Sequence, residues 1–258
     1  MELSVVIVSY NVKHLLKNAL DSLLLATEGL ATEIFVVDNA SKDGSASWLK
    51  THYPQVNLIA NTSNVGFSVA NNQALRSAKG KYILILNPDT ITPKNTIKEA
   101  VAFMEQNQDA GSLGVRMLDG NGKFLRESKR GLPTPWVSFC KLSGLYRLFP
   151  QSKVFNRYYL GWQSEFETTP VDVLTGAFLL LRKKALDQIG LFDEAFFMYG
   201  EDVDLSYRLT LAGYKNYYFP KVSITHFKGQ STKKLSYRYI RSFYGSMFIF
   251  ARKYFLKF

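Results

Sequence analysis

The first hundred residues alternate between short apolar runs and amphipathic stretches. "LSVVIV" (3–8) is a compact, β-branched run that reads as a buried strand. "HLLKNALDSLLLA" (14–26) sets Leu15, Ala19 and Leu23 beside Leu16, Leu20 and Leu24 at helical spacing. The alternation continues with a strand over 33–38, a helix over 44–52 and a strand over 56–61. A helix over 66–80 closed by Gly80 follows, then a strand over 81–87. A helix over 92–107 comes next, with Thr92 as N-cap and Pro93 at its first position. Crossovers of this length predict a doubly wound, parallel sheet. Ligands of such sheets sit beyond the carboxyl ends of the strands. Those ends are "SYN" (9–11), "DNAS" (38–41), "NTSNVG" (61–66) and "NPDT" (87–90), all polar and expected to line one crevice.

After residue 110 the pattern changes. "DGNG" (119–122) predicts a hairpin between "SLGVRM" and "KFLRES". Residues 128–170 have no clean periodicity and carry several prolines among many aromatics, so they read as an irregular insertion. A strand and helix return over 173–190, and Gly213 ends a helix before another strand near 214–220. Residues 236–258 read as a basic, aromatic helix. There is no internal repeat and no low-complexity linker.

The composition adds three constraints. The chain has 258 residues and is 47% hydrophobic, enough for one large domain or two small ones. Cys140 is the single cysteine, so no internal disulfide is possible and a reducing compartment fits. The start "MELSVVIVSYN" reads as a first strand and not as a signal peptide, and no apolar run reaches the length of a membrane span. The net charge of +11 comes entirely from residues 205–258, which contain no acid. Such asymmetry points to an anionic partner, a nucleic acid or a membrane surface, against the simpler reading of a solvated tail.

Neither GxGxxG after the first strand nor GxxxxGK[ST] is present, so a nucleotide would be held by side chains and a metal. In "NPDT", Asp89 offers a firm oxygen ligand behind the stiff Pro88, and Asn87 a weaker one; these suit Mg2+ or Mn2+ on a diphosphate. The competing reading is that Asn-Pro-Asp is simply good turn chemistry.

The order of the motifs resembles that of the family 2 inverting glycosyltransferases. "VVIVSYN", "VVDNASKDGS", "NVGFSVANNQAL" and "ILILNPDT" carry the first half of the likeness. "LTGAFLLLRKKAL" and "GLFDEAFFMYGEDVDLSYRLTLAGY" carry the second half. "THFKGQS" (225–231) resembles the His-containing segment of the rhamnosyltransferase-like branch. The likeness covers roughly residues 2–231. It implies a GT-A fold, an α/β doubly wound, mostly parallel sheet with a Rossmann-like half that binds a nucleotide-sugar (1–110). An acceptor and catalytic half (111–232) and a basic C-terminal helix (233–258) would follow.

The resemblance also implies roles. Ser9, Asn11, Asp38, Asn39, Gly66, Asn71 and Asn87 fall on the donor-binding motifs, with Asn39 where many members have a second Asp. Asp89 carries the metal site and His226 is a further ligand, although a lone histidine is more often structural. The "ED" of "YGEDVDL" supplies the general base, best matched by Asp202, with Glu201 the rival. A helix start favours an ionised carboxylate, and burial near Phe196, Phe197 and Tyr199 would raise the proton affinity of Asp202. The plain alternative is that Asp202 is an N-cap.

Together these predict a metal-dependent, inverting transfer of one sugar, rhamnose first, from a nucleoside-diphosphate sugar to a hydroxyl acceptor on a lipid-linked glycan. The expected setting is surface-polysaccharide synthesis at the cytoplasmic face of a membrane. The basic, aromatic tail is read either as docking on anionic lipid or as packing on the domain. The rival from another class is a nucleic-acid-binding protein stacking bases on "YRYIRSFY". The neutral first 204 residues argue against it, and a nucleotide-sugar binder without turnover is a third reading.

Overall fold

The computed structural model describes residues 1–227 and 237–256, with side chains in the second stretch from residue 242 onward. Strands β1 (Leu3–Ser9), β2 (Thr32–Asp38), β3 (Asn57–Ala60) and β4 (Tyr82–Leu86) form a parallel half-sheet in the order β3–β2–β1–β4. Helices α1 (Lys13–Ala26), α2 (Ser45–His52) and α3 (Phe67–Leu75) link them. The predicted stripe of α1 is its core face, with Leu16, Ala19, Leu20 and Leu23 fully buried.

The second half inserts its strands into the same sheet. Next along the chain are β5 (Thr90–Ile91), α4 (Thr96–Gln106) and β6 (Ala110–Leu118), then α5 (Pro135–Leu142) and α6 (Leu145–Leu148). After them come β7 (Thr169–Val171), β8 (Phe178–Arg182), α7 (Lys183–Ile189), α8 (Glu201–Leu211), β9 (Lys215–His226) and α9 (Tyr237–Tyr254). Strand β8 runs antiparallel between β4 and β6, and β9 lies parallel to β6. Six of the nine described strands therefore share one direction, and β5, β7 and β8 oppose it.

Four local expectations are corrected. Helix α3 stops at Leu75 and is capped by Arg76, not Gly80. Gly80 is required elsewhere: a Cβ there would sit 2.4 Å from the Ser4 backbone nitrogen, where the chain turns into β4 against β1. Helix α4 begins at Thr96 behind Asn95, not at Thr92. The Thr92 N–H is taken by Ser22 Oγ at 3.1 Å and β5 pairs with β9, which keeps this segment extended. The "DGNG" turn closes as expected, but its second arm lasts one bridge, Leu118–Phe124, before a single 3-10 turn at Arg126–Ser128. Both edges of β6 are already claimed, by β8 and β9.

The insertion is irregular over residues 149–168, as expected, but it also contains the helices α5 and α6. Thr134 Oγ1 accepts from Val137 N at 3.4 Å and Pro135 occupies the first turn, so α5 is capped by the rules of any helix. Its buried stripe is only Val137 and Cys140, too narrow to show as periodicity. Lys129, buried at the base of the insertion, donates to the carbonyls of Leu160 and Gln163 and ties the two ends together.

Helix α9 packs on the domain. Ser246 Oγ donates to the Met198 carbonyl at 3.0 Å, and Phe250 is buried with Val173, Phe196 and Val203. Lys253 Nζ reaches Asp193 at 2.6 Å and Asp204 at 2.8 Å, and Tyr254 Oη donates to Asp204 at 2.7 Å. Phe250 and Tyr254 are therefore engaged with the domain; of the aromatics in "YRYIRSFY", Tyr244 is exposed and the side chains of Tyr237 and Tyr239 lie outside the described residues. Lys233 and Lys234, and the side chains of Arg238 and Arg241, lie outside the described residues. Among the described residues no helix is long and apolar enough to cross a membrane.

Candidate active site

A cavity of about 610 Å³ opens where the strand ends meet α5, α8 and α9. Asn39, Asn87, Asp89, Glu201, Asp202 and His226 all line it, so residues up to 187 positions apart converge. Ser9, Asn11, Asp38, Gly66 and Asn71 do not reach its wall.

The donor side is built from β-strand ends. Asp38, 2% exposed, accepts from Ser41 N at 3.0 Å through Oδ2, while its buried Oδ1 has no protein partner. Asn39 has all four hydrogen-bonding positions filled: it donates to Asn64 Oδ1 and the Gly66 carbonyl, and accepts from Val65 N and Asn61 Nδ2. It shapes the pocket by fastening the loop after β3. Asn11 is a second fastener, in the left-handed region at φ 54°, accepting from Lys42 N at 2.7 Å. Gly66 is demanded by packing: a Cβ there would lie 2.7 Å from the Phe197 carbonyl oxygen, which accepts from Phe67 N. Asn71 donates to the Phe67 carbonyl inside α3, and the hydroxyl of Ser9, fully buried, has no partner.

At the end of β4 the predicted metal residues do meet. His226 Nε2 lies 3.2 Å from Asp89 Oδ1 and 3.5 Å from Asn87 Nδ2. The approach to Asp89 lacks hydrogen-bond geometry, so Asp89 Oδ1 is a buried acceptor without a protein partner, as is His226 Nδ1 on the imidazole's other side. β5 makes this contact by pairing Thr90 with His226. A carboxylate, an imidazole and an amide fit a hard divalent ion only if oxygens from outside the protein complete its shell. Accordingly, no group of three His, Cys, Asp or Glu able to hold a metal exists among the described residues.

The acceptor side centres on the start of α8. Gly200, at φ 83°, is the N-cap, and no side chain caps this helix, so Asp202 is not an N-cap. Tyr199 precedes it at φ 70°, a strained conformation for a bulky residue. Asp202 Oδ2 is ion-paired with Arg130, and its Oδ1 accepts from Val203 N at 2.8 Å. Glu201 is buried beside it with Oε2 unpartnered. Burial, and then the negative charge of Asp202, push the Glu201 carboxyl up to about 8. The group whose proton affinity burial raises is thus Glu201, and of the aromatics expected to surround Asp202, Phe197 is exposed.

Arg130 was not singled out by the sequence. It sits in the insertion, 72 residues from Asp202, where no periodicity marks it. The only available signal was the acidic cluster itself, which demands a cation once buried. Tyr158, Tyr159 and Lys141, also on the cavity wall, were hidden in the same unread segment.

The family model described as "Glycosyl transferase family 2" matches residues 4–190. An N-acetylglucosaminyl-diphospho-decaprenol L-rhamnosyltransferase of Mycobacterium tuberculosis is 30% identical over 96% of this chain and 83% of its own length. Rhamnosyltransferase WbbL of Escherichia coli K12 is 29% identical over 86% of this chain and 82% of its own. Among solved structures, S. aureus TarS 1-349 in complex with UDP-GlcNAc superposes with a TM-score of 0.66 at 21% identity, over 98% of this chain and 66% of that one. Mannosyltransferase PcManGT from Pyrobaculum calidifontis, in complex with GDP-Man and Mn2+, gives 0.61 at 20% identity, over 89% of this chain and 57% of that one. The chain thus spans about two thirds or less of these structures' length. At such identities they establish the fold, which is the GT-A type.

Proposed function

The chain belongs to glycosyl transferase family 2, in its rhamnosyltransferase-like branch, and on that premise we propose that it is a metal-dependent, inverting transferase of a single sugar. The donor is a nucleoside-diphosphate sugar, with rhamnose the sugar. The acceptor is a hydroxyl of a lipid-linked glycan in surface-polysaccharide synthesis. One observation carries the reading: the Asn87–Asp89–His226 cradle and the Glu201–Asp202 pair line the same cavity.

Each side chain has a task in that chemistry. Asp202 takes the proton of the acceptor hydroxyl as its oxygen attacks the anomeric carbon. The new C–O bond forms opposite the breaking bond to the diphosphate, whose oxygen leaves with the electron pair, and the configuration inverts. Arg130 fixes the Asp202 carboxylate, each oxygen of which keeps a lone pair for the incoming proton. Glu201, protonated near neutral pH, donates a hydrogen bond from its O–H to a sugar oxygen. Mg2+ or Mn2+, held by Asp89 and His226, would neutralise the charge that builds on the departing diphosphate. Asp38 Oδ1 and Ser9 Oγ, at the ends of β2 and β1, are buried polar atoms without a protein partner that lie outside the cavity wall.

On this reading the protein works at the cytoplasmic face of a membrane. In support, α5 and α9 carry exposed Trp136, Phe139, Tyr244 and Phe248 beside the cavity, suited to the interface of an anionic bilayer. Sedimentation with anionic vesicles, released by salt, tests that placement; no binding at low salt overturns it.

The central test is turnover. A panel of nucleotide-sugars is screened for Mg2+- or Mn2+-dependent thermal stabilisation, which rises with affinity and concentration for ligands of the folded state. The best donor is then tested for transfer, with the product's anomeric configuration read by NMR. A retained configuration, or no donor stabilising the protein, overturns the proposal.

A further inference from the structure

One buried amide joins the two halves of the site without touching the cavity. Asn72, on α3 and 2% exposed, does not line the wall, and the transfer chemistry above does not use it. Its Nδ2 donates to the Phe192 carbonyl at 2.9 Å and its Oδ1 accepts from Phe192 N at 3.1 Å, 120 residues along the chain. The side-chain amide thus pairs with both main-chain groups of one residue, as neighbouring strands do. Nδ2 also donates to Glu194 Oε1 at 2.9 Å, an oxygen that accepts from Arg76 Nη2 at 2.7 Å. The Arg76–Glu194 ion pair is about half exposed and screened by solvent, so the buried amide is the stronger tether. Phe67 adds to the grip: its N–H donates to the Phe197 carbonyl at 2.7 Å, and its ring meets that of Phe192 edge to face at 6.2 Å.

What these bonds hold is the approach to the carboxylate pair. Residues 191–200 form neither helix nor strand. The segment ends in two consecutive left-handed residues, Tyr199 at φ 70° and Gly200 at φ 83°, and Glu201 and Asp202 follow at once. A bulky residue keeps such a conformation only where its surroundings over-determine it. Helix α3 is firm enough to do so: Ala70 and Ala74 are fully buried in one apolar cluster with Val6 of β1 and Val37 of β2. From the other side, Ser246 Oγ holds the Met198 carbonyl. The loop entering α3 is itself fastened to the end of β2, because Asn39 Nδ2 donates to the Gly66 carbonyl at 3.2 Å. Hydrogen bonds thus tie the end of β2 to α3, and α3 to both ends of the segment that carries Tyr199.

We propose that Asn72 is a positioning residue for the catalytic pair: by pairing with both main-chain groups of Phe192 it fixes residues 191–200 against the donor half, and so aims Glu201 and Asp202 into the cavity. The proposal rests on the glycosyltransferase reading and adds to it the contact that keeps the base in register with the nucleotide-sugar. The base stands on α8 and the nucleotide-sugar on the strand ends, so their relative position depends on what joins these elements. An amide suits the task because it offers one peptide a donor and an acceptor at once. A carboxylate would instead turn an oxygen toward the Phe192 carbonyl and the Glu194 carboxylate. The neighbouring Asn71 makes no such contact, since its Nδ2 donates within α3 to the Phe67 carbonyl.

The test first reads the pair without any ligand. Infrared spectra of the full chain are followed against pH for the protonated carboxyl band that Glu201→Gln removes. Asn72→Ala should lower the midpoint of that band by about one pH unit or more, because a released segment returns Glu201 to water. Glu194→Gln, which keeps the Phe192 pair, should leave the midpoint where it is. The second reading is hydrolysis, with Mn2+ and with water as the acceptor, of the nucleotide-sugar that stabilises the wild type most in the panel above. Asn72→Ala should lower kcat about 10–100-fold, the scale of a misplacement of about 1 Å caused from a distance, with KM unchanged. Both readings are taken well below the melting temperature of the variant, and Asn72→Ser takes its place if Asn72→Ala does not fold. A side chain that is merely structural lowers the melting temperature alone. A wild-type midpoint in the variant, or a wild-type kcat where the wild type hydrolyses the nucleotide-sugar, therefore overturns the proposal. An equal shift in Glu194→Gln also overturns it, since the tether would then be the surface ion pair. If Glu201→Gln removes no band, the kcat and KM readings decide. A wild type that hydrolyses no nucleotide-sugar, with the midpoint still moved by Asn72→Ala, sinks the transferase reading alone.

Discussion

On the donor side of the cavity, Asp89 and His226 each keep a buried polar atom without a protein partner, whereas on the acceptor side Asp202 is paired with Arg130 and Asp204 with Arg208 and Lys253, and Glu201 Oε2 alone of the carboxylate oxygens there is left over. A buried, unsatisfied polar atom costs about 1–3 kcal/mol, and a ligand that satisfies it recovers that cost. The donor side therefore gains its order from what it binds. On the acceptor side the Asp202 and Asp204 carboxylates are ordered by ion pairs before substrate arrives, and Glu201 is the group left for a ligand to satisfy. Preorganised charge of this kind is where transition-state stabilisation is obtained. The two sides should respond differently to mutation: catalysis fails on one, ligand-linked stability on the other.

The largest effect belongs to the base. Asp202→Asn should lower turnover about a hundred- to ten-thousand-fold while donor affinity stays near wild type. Steady-state rates with donor titrations check this. Turnover within tenfold of wild type would move the role to Glu201 and break the contrast.

Next comes the donor cradle. Asp89→Ala should abolish metal-dependent stabilisation by the donor, and His226→Ala should weaken it by about 10–100-fold, the scale of a supporting partner. Differential scanning fluorimetry with and without Mn2+ reads both. If Asp89→Ala binds the donor as well in EDTA as wild type does in metal, the cradle is a turn and no more.

How much of this contrast is legible in the sequence depends on where each partner lies. The parallel half could be read from Val-rich strands and the Leu16–Leu20–Leu23 stripe because both periods are local. Its polar strand ends could be read for the same reason, and Asn87, Asp89 and His226 do converge. That Asn39 is saturated could not be read, since its partners Asn61, Asn64 and Gly66 arrive on another loop. Adjacent carboxylates could not be told apart either: which of Glu201 and Asp202 faces a cation is decided by Arg130, from a segment without periodicity. The insertion hid α5 because a helix with two buried residues leaves almost no pattern.

The third prediction follows from that unpaired neighbour. The Glu201 carboxyl titrates near 4.5 when unfolded and near 8 when folded, so folding takes up a proton across that window. Stability contributed by the protonated form is complete below pH 4.5 and is lost as pH rises toward 8. Glu201→Gln removes the titration. The melting temperature of the variant relative to wild type should rise between pH 5 and pH 9, and a flat difference would mean that Glu201 is ionised throughout.

The smallest effect tests whether the acceptor side is held from behind by α9. Asp204 is fully buried and accepts from Arg208 Nε at 2.8 Å, Lys253 Nζ at 2.8 Å and Tyr254 Oη at 2.7 Å. It lies two residues after Asp202 on α8, and two of its three partners come from α9. Lys253 is one-third exposed, so solvent screens its pairs and their contribution is near the upper end for surface ion pairs, about 1 kcal/mol. Lys253→Met should lower the melting temperature by about 2–4 °C, as expected for that energy in a chain of this size. Asp204→Asn should cost more, because it leaves Arg208 and Lys253 without their shared carboxylate. If α9 positions the base, Lys253→Met also lowers kcat with little change in the KM of the donor, whose cradle lies across the cavity. A variant that melts earlier but turns over normally at low temperature would leave α9 as packing alone.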